Sequence, residues 1–221
     1  MAHILNIAFA GEGTTDSRLL PAIIKNVFDK LVANCNQQVD ISEMLILDKE
    51  KGSSFSDELE KYAIKAKEAN IDILCIHVDA DDKTNKMVLA NKISPAFAHL
   101  AGLKQDEICT NYLAVIPVYM SESWLLADLA LLKKELGTTL SDQELGFAKN
   151  PEHFTDPKAV INNAINLLIS TDKKRYKDLR INDLYQIIGQ TTSLEKLELL
   201  PSYLAFKADA EKALKKLNFC K

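Results

Sequence analysis

The sequence predicts a three-layer α/β fold, in which helices cover a mostly parallel four-stranded sheet and a helical C-terminal extension packs on that core. Three observations predict it. Strand-like and helix-like runs alternate from Ile4 to Leu136. One of the strand-like runs, Ile71 to Val78 (IDILCIHV), is almost continuously apolar, as a strand covered on both faces should be. After Val118 no convincing strand recurs, and the chain turns polar, irregular and then helical, which divides it into a core over 1–136 and an extension over 137–221.

The elements follow in order. Ile4 to Ala10 is a short apolar run closed by Gly11-Glu12-Gly13, a strand ending in a turn. Thr14, Thr15 and Asp16 offer N-cap chemistry, and Leu19, Leu20, Ile23, Ile24, Val27, Phe28 and Leu31 recur at helical spacing. Val39 to Leu47 reads as a second strand, and Phe55 to Ala69 as a helix with a charged outer side. The apolar third strand ends in Asp79-Ala80-Asp81-Asp82. A helix follows from Thr84 to about Ala101, which Pro95 must kink or interrupt. Tyr112 to Val118 is the fourth strand, and Glu122 to Leu136 is helical. In the extension, Ala159 to Ser170, Ile181 to Gly189 and Tyr203 to Leu217 read as helices.

The bulk numbers bound the function. A chain of 221 residues with 47% hydrophobic and 26% charged residues can bury a core without disulfides or structural metal. Cys35, Cys75, Cys109 and Cys220 are scattered with no C-x-x-C pair, which excludes zinc ribbons and thioredoxin-like sites and suits a reducing cytoplasm. The opening MAHILNIAFAGEG reads as a strand rather than a secretory leader, and no apolar run approaches the roughly 20 residues of a membrane helix. The formal charge of −4 argues against a surface coated for nucleic acid, yet it leaves room for a nuclease, whose acidic metal site is negative until its ion binds.

Ligands of a parallel α/β sheet bind at the carboxyl ends of its strands. Acids gather there: Glu12 after the first strand, Asp79 and Asp81 after the third, and Glu122 after the fourth. Such a cluster repels itself unless a cation sits among it, and Mg2+ or Mn2+ is the natural partner of carboxylate oxygen. The D-x-D spacing can turn both aspartates toward one site. Gly11 and Gly13 permit a tight turn and close approach to a ligand, and the helix start at Thr14 and Thr15 offers N–H groups to a phosphate.

A strand ending in Glu-Gly, then a helix, then a later strand ending in Asp-x-Asp resembles the Toprim domain, here as FAGEGTTD and HVDADD. That domain is shared by topoisomerases, bacterial primases and the overcoming-lysogenization-defect nucleases. VIPVYMSESWLLAD and NPEHFTDPK resemble one bacterial Toprim-like branch of unassigned function, associated with ATPase partners. The resemblance covers nearly the whole chain. It implies a Rossmann-like sheet, Glu12 as metal ligand or proton relay, Asp79 and Asp81 as the metal pair, Glu122 as a further ligand, and Lys158 as a cation beside the scissile phosphate. Ser121 and Glu122 are adjacent here, where the nuclease pattern separates serine and acid by one residue. Lys83 stands where topoisomerases carry a third acid.

The function this implies is Mg2+- or Mn2+-dependent hydrolysis of DNA or RNA. The alternative is a non-catalytic subunit of an ATPase or nucleic-acid complex, which an exposed apolar patch on the C-terminal helices would favour. A receiver-like phosphoryl-transfer domain fits the Glu-Gly turn and the helical tail poorly. No phosphate-binding G-x-x-x-x-G-K-[ST] loop and no G-x-S-x-G elbow occur. The basic run Lys173, Lys174, Arg175, Lys177 and Arg180 around Tyr176 could grip a nucleic-acid backbone, although such runs are more often solvated faces. Trp124, Cys75 and His77 read as core residues, Asp82 as a cap and His153 as a loop residue.

Overall fold

The structure is a computed structural model and describes residues 3–13 and 15–220. The predicted first strand is two pieces, β1 (His3–Leu5) and β2 (Ile7–Ala10). They part at Asn6, whose N–H is taken by the Asp72 carboxylate at 2.8 Å instead of a neighbouring strand. The second is likewise broken into β3 (Val39–Ile41) and β4 (Leu45–Ile46). The third and fourth, β5 (Ile73–His77) and β6 (Tyr112–Val115), are shorter than their apolar runs, and β6 stops before Pro117, which has no N–H to give a ladder. All pairings are parallel. The order is β4-β2-β5-β6, with β1 and β3 paired alongside. The chain thus builds outward from its first strand to one side, then returns to build on the other. That reversal opens a crevice beyond the carboxyl ends of β2 and β5.

Alternation along the strands decides which helices they meet. Ile7, Phe9, Ile73 and Cys75 join the core formed with α1 (Asp16–Val32). Ala8, Ala10, Leu74 and Ile76 face α2 (Phe55–Glu68), whose first turn is capped by Ser54 accepting the Asp57 N–H at 3.2 Å. The helix expected over residues 84–101 is interrupted, as Pro95 requires. It consists of α3 (Lys86–Val88), a π-helical turn (Leu89–Ile93) and α4 (Ser94–Ala101), with Pro95 in the first turn of α4, where its missing N–H matters least.

The predicted helix from Glu122 to Leu136 is also two. Asp128 separates α5 (Glu122–Leu125) from α6 (Leu129–Leu136), its carboxylate accepting the Leu131 N–H at 3.1 Å. A 3-10 turn (Pro151–His153) precedes α7 (Pro157–Thr171) and the short α8 (Lys173–Tyr176). A second 3-10 turn (Ile181–Asp183) leads into α9 (Leu184–Thr191), α10 (Leu194–Leu197) and α11 (Pro201–Lys216). These helices share one hydrophobic cluster with α1 and the sheet, so the extension completes the core layer on that face. Trp124 is fully buried there and its indole N–H donates to Ser202 Oγ at 2.7 Å, tying α5 to α11.

Cys75 is buried in the core. Cys35, past the end of α1, is joined to Cys220 as a disulfide across a separation of 185 residues. Scattered spacing hides such a pair, and its presence weakens the argument from cysteine usage for a reducing compartment. Among the described residues no helix is long and apolar enough to cross a membrane.

Helix α9 crosses α1 at a glycine. A Cβ on Gly189 would stand 2.6 Å from the Leu19 carbonyl oxygen, which belongs to rigid helix backbone. Gly189→Ala must therefore push the two helices apart. We expect a loss of about 1–3 kcal/mol, the usual range for overpacking, or a fall of several degrees in Tm by calorimetry. An unchanged Tm would contradict the close crossing.

Candidate functional site

The crevice beyond β2 and β5 gathers the acids. The turn after β2 carries Glu12 between two glycines that serve packing. A Cβ on Gly11 would meet the Phe9 ring at 2.7 Å, and one on Gly13 would meet Asp16 Oδ2 at 2.9 Å. Thr14 lies outside the described residues. Thr15 sits at the N-cap of α1 without a side-chain capping bond. Asp16, in the first turn of α1, is buried.

His77 is the last residue of β5, two residues after Cys75 and so on the same face as Cys75 and its partner Phe9, the α1 side. Its ring stacks on that of Phe9, with centroids 6.3 Å apart. Nδ1 is 3.0 Å from the Val115 carbonyl oxygen; a carbonyl only accepts, so Nδ1 carries the proton. Nε2 then faces Asp16 Oδ1 at 3.6 Å and Asp79 Oδ1 at 3.4 Å. Both distances exceed a good hydrogen bond, and Nε2 and Asp79 Oδ1 are buried without a hydrogen-bond partner. The reading of His77 as a satisfied core residue holds for one nitrogen only.

The acids divide by their neighbours. Burial pushes Asp16 upward, but His77 and the Ser121 hydroxyl, which donates to Oδ1 at 2.7 Å, outweigh it and hold its carboxyl below the usual value. Burial lowers the proton affinity of His77, and Asp16 first and then Asp79 more than restore it. Glu122 is buried at the start of α5. Its Oε1 accepts the Tyr185 hydroxyl from α9 and lies 3.2 Å from Lys158 Nζ at the start of α7. Burial, then the bond to Glu122, pushes the Tyr185 phenol strongly up, so Tyr185 stays a donor. Glu12, half-exposed, pairs with Lys92 at 2.5 Å. Asp79 has no such cation at hydrogen-bond distance. Burial raises its carboxyl to about 7; His77 opposes, and the charges of Asp16, Glu122 and Glu12 add to the rise.

The structure therefore brings together Glu12, Asp79, Glu122 and Lys158 from the sequence reading. It adds Asp16, His77, Tyr185 and Lys92. Asp81 is exposed, and its backbone is left-handed (φ 51°), locked by its N–H on the Tyr119 carbonyl at 2.9 Å. The strand has ended before it, so the alternation that would align Asp79 with Asp81 no longer applies. Among the described residues no three His, Cys, Asp or Glu side chains close around one point that could hold an ion. The basic run has partly committed its cations to the fold: Arg175 donates to the Gly137 carbonyl at 2.6 Å, and Arg180 to the Lys177 and Leu179 carbonyls. Lys173, Lys174 and Lys177 are exposed.

Of the added residues, His77 had a sequence signal, a lone histidine in a largely apolar strand run two positions before Asp79. Asp16 resembled a cap, and Tyr185 and Lys92 lie on helices whose contacts no local pattern reveals. Compared with known proteins, the chain matches no family model, no curated protein and no solved structure.

The electrostatics carry a pH dependence. A carboxyl whose folded value, about 7, lies above its unfolded value of 3.8 keeps a proton that the unfolded chain releases, so stability falls as pH rises through that window. The raised His77 acts in the same direction from 6.5 upward. The lowered Asp16 acts oppositely, but only below its ordinary value of 3.8. In a chelator, Tm should fall between pH 5 and pH 8. Asp79→Asn, which mimics the protonated acid, should flatten that fall and raise Tm at pH 8 by about 2–4 °C, as ~1 kcal/mol does in a domain of this size. An unaltered slope in the variant would show that Asp79 is not the titrating group.

Proposed function

We propose that the chain is a Toprim-type, Mg2+- or Mn2+-dependent phosphodiesterase that cleaves nucleic acid. The observation that carries this reading is Asp79: a buried carboxylate oxygen without a hydrogen-bond partner at the mouth of a sheet crevice, its proton affinity raised by burial first and then, against His77, by three other acids. Buried charge calls for a counter-charge, and strongly shifted groups in clefts mark functional sites more often than chance. Glu12, Asp79 and Glu122 offer carboxylate oxygens, the chemistry of a hard divalent ion, beside the imidazole of His77. Mg2+ is usually held by one or two carboxylates with water and substrate filling the rest, so a site without three converging side chains still suits it.

Asp79 would be the anchoring ligand, with Glu12 and Glu122 the acids whose charges reach it. When bound, the ion would supply a Lewis acid to a phosphoryl oxygen and orient an attacking water. Lys158 would offset charge developing on the phosphate, for it lies beside Glu122 with its side chain 44% exposed. Tyr185 keeps Glu122 in place by donating to the same oxygen. Glu12, half-exposed and paired with Lys92, would exchange that lysine for the ion. Lys173, Lys174 and Lys177 would give backbone contact away from the chemistry.

A second reading has its own observation. Leu199 and Leu204, in the C-terminal helical region, are 67% and 45% exposed, apolar surface of the kind a partner subunit covers. On that reading the chain binds an ATPase or a nucleic-acid complex and cuts nothing.

Cleavage of labelled DNA and RNA in Mg2+, in Mn2+ and in chelator separates the two. The phosphodiesterase reading expects ion-dependent cleavage, lowered at least ~100-fold by Asp79→Ala and about 10- to 100-fold by Lys158→Ala, with unchanged circular dichroism. Wild-type rates in Asp79→Ala would remove Asp79 from the site. No cleavage by the wild type under any ion would leave the partner reading standing.

A further inference from the structure

We infer that the same site takes a nucleotide unit, with an aromatic base entering a cavity beside Glu12 and the adjoining phosphate held at its mouth by Lys92 and Lys49. The inference rests on the phosphodiesterase reading and names the part of the substrate that the acids do not account for.

A cavity of about 240 Å³ opens between the turn after β2 and the start of α2. It is smaller than the roughly 300–1,000 Å³ of drug-sized sites, so it suits a fragment with the bulk of one base. Its floor is Ala10 and Ile76 at the ends of β2 and β5, and its walls include Phe55 and Tyr62 from α2. Aromatic walls receive bases by stacking, which is indifferent to sequence because every base has a π-face. The Tyr62 hydroxyl accepts the Glu50 N–H at 3.0 Å and retains a hydrogen to donate. Glu58 adds an acceptor to the lining. A base edge carrying both donors and acceptors therefore meets both kinds of partner.

The mouth is basic although the cluster behind it is acidic. Lys92 Nζ stands 2.5 Å from Glu12 Oε1 and 4.6 Å from the centroid of the Phe55 ring. Lys49 Nζ reaches the Glu12 carbonyl at 3.4 Å. Lys92 is presented by the π-helical turn Leu89–Ile93, a rare geometry that recurs at functional sites. In the free protein Lys92 covers the aromatic face and neutralises Glu12. An arriving nucleotide offers it a phosphate and takes the ring face for the base.

Calorimetric titration of the full chain in Mg2+ with dAMP and with 2-deoxyribose 5-phosphate tests this. dAMP should bind about tenfold or more tightly than the sugar phosphate. Phe55→Leu, which keeps an apolar side chain without a ring face, should erase that difference and leave the sugar phosphate unchanged. Lys92→Gln should weaken both ligands by a similar factor. Equal affinity of the two ligands in the wild type, an undiminished dAMP advantage in Phe55→Leu, or no binding of either would overturn the inference. Cleavage of nucleic acid without a dAMP advantage would sink the base cavity and leave the phosphodiesterase reading intact. A base-dependent affinity without cleavage would do the reverse.

Discussion

Negative charge collected where a parallel sheet changes direction has to be balanced, and in this molecule the balance is incomplete. The strand order forces it. β2 and β5 run side by side, and the segments leaving their carboxyl ends go to opposite faces, so Glu12, Asp16 and Asp79 are delivered to one crevice whatever the rest of the chain does. Glu122 arrives from the segment after β6, the neighbour of β5.

Each acid but one has a protein counterpart. Asp16 has His77 and the Ser121 hydroxyl, Glu122 has Lys158 and Tyr185, and Glu12 has Lys92. The C-terminal helices matter here for more than core volume, because α7 and α9 supply the two groups that hold Glu122. This links the extension to the site through packing: the Gly189 crossing sets how α9 lies on α1, and α9 carries Tyr185. Asp79 has only His77, 3.4 Å away and shared with Asp16, and no hydrogen-bond donor to its Oδ1. Ionised, it has for counter-charge only the imidazole that it shares with Asp16. On the proposed reading a divalent ion would supply the missing counter-charge, which is why that reading turns on one carboxylate.

The sequence made part of this legible. Apolar strand runs ending in acids placed Glu12 and Asp79 at the carboxyl edge, and alternation of strand and helix gave the parallel sheet. Element interiors were readable because periodicity is a local property. The breaks were not: Asn6 divides the first strand because of Asp72, far along the chain, and the disulfide of Cys35 with Cys220 spans nearly the whole chain. Asp81 shows where periodicity misleads, since its left-handed backbone lies past the end of the strand and the rule of two no longer applies. Asp16, Tyr185 and Lys92 belong to the site through tertiary contacts alone. Asp16 in particular looks like any acid in a helix's first turn until the structure shows it buried against His77.

The most direct test of the account is a calorimetric titration of the apoprotein with Mn2+ or Mg2+ at pH 7.5, comparing the wild type with Asp79→Asn. The account predicts saturable binding to the wild type, accompanied by fractional proton release to the buffer, since the carboxyl of Asp79, raised to about 7, is still partly protonated at pH 7.5. It predicts loss of that binding in the variant. Equal affinity in both proteins, or none in the wild type, would contradict the claim that the uncompensated charge at Asp79 is a site for a divalent ion.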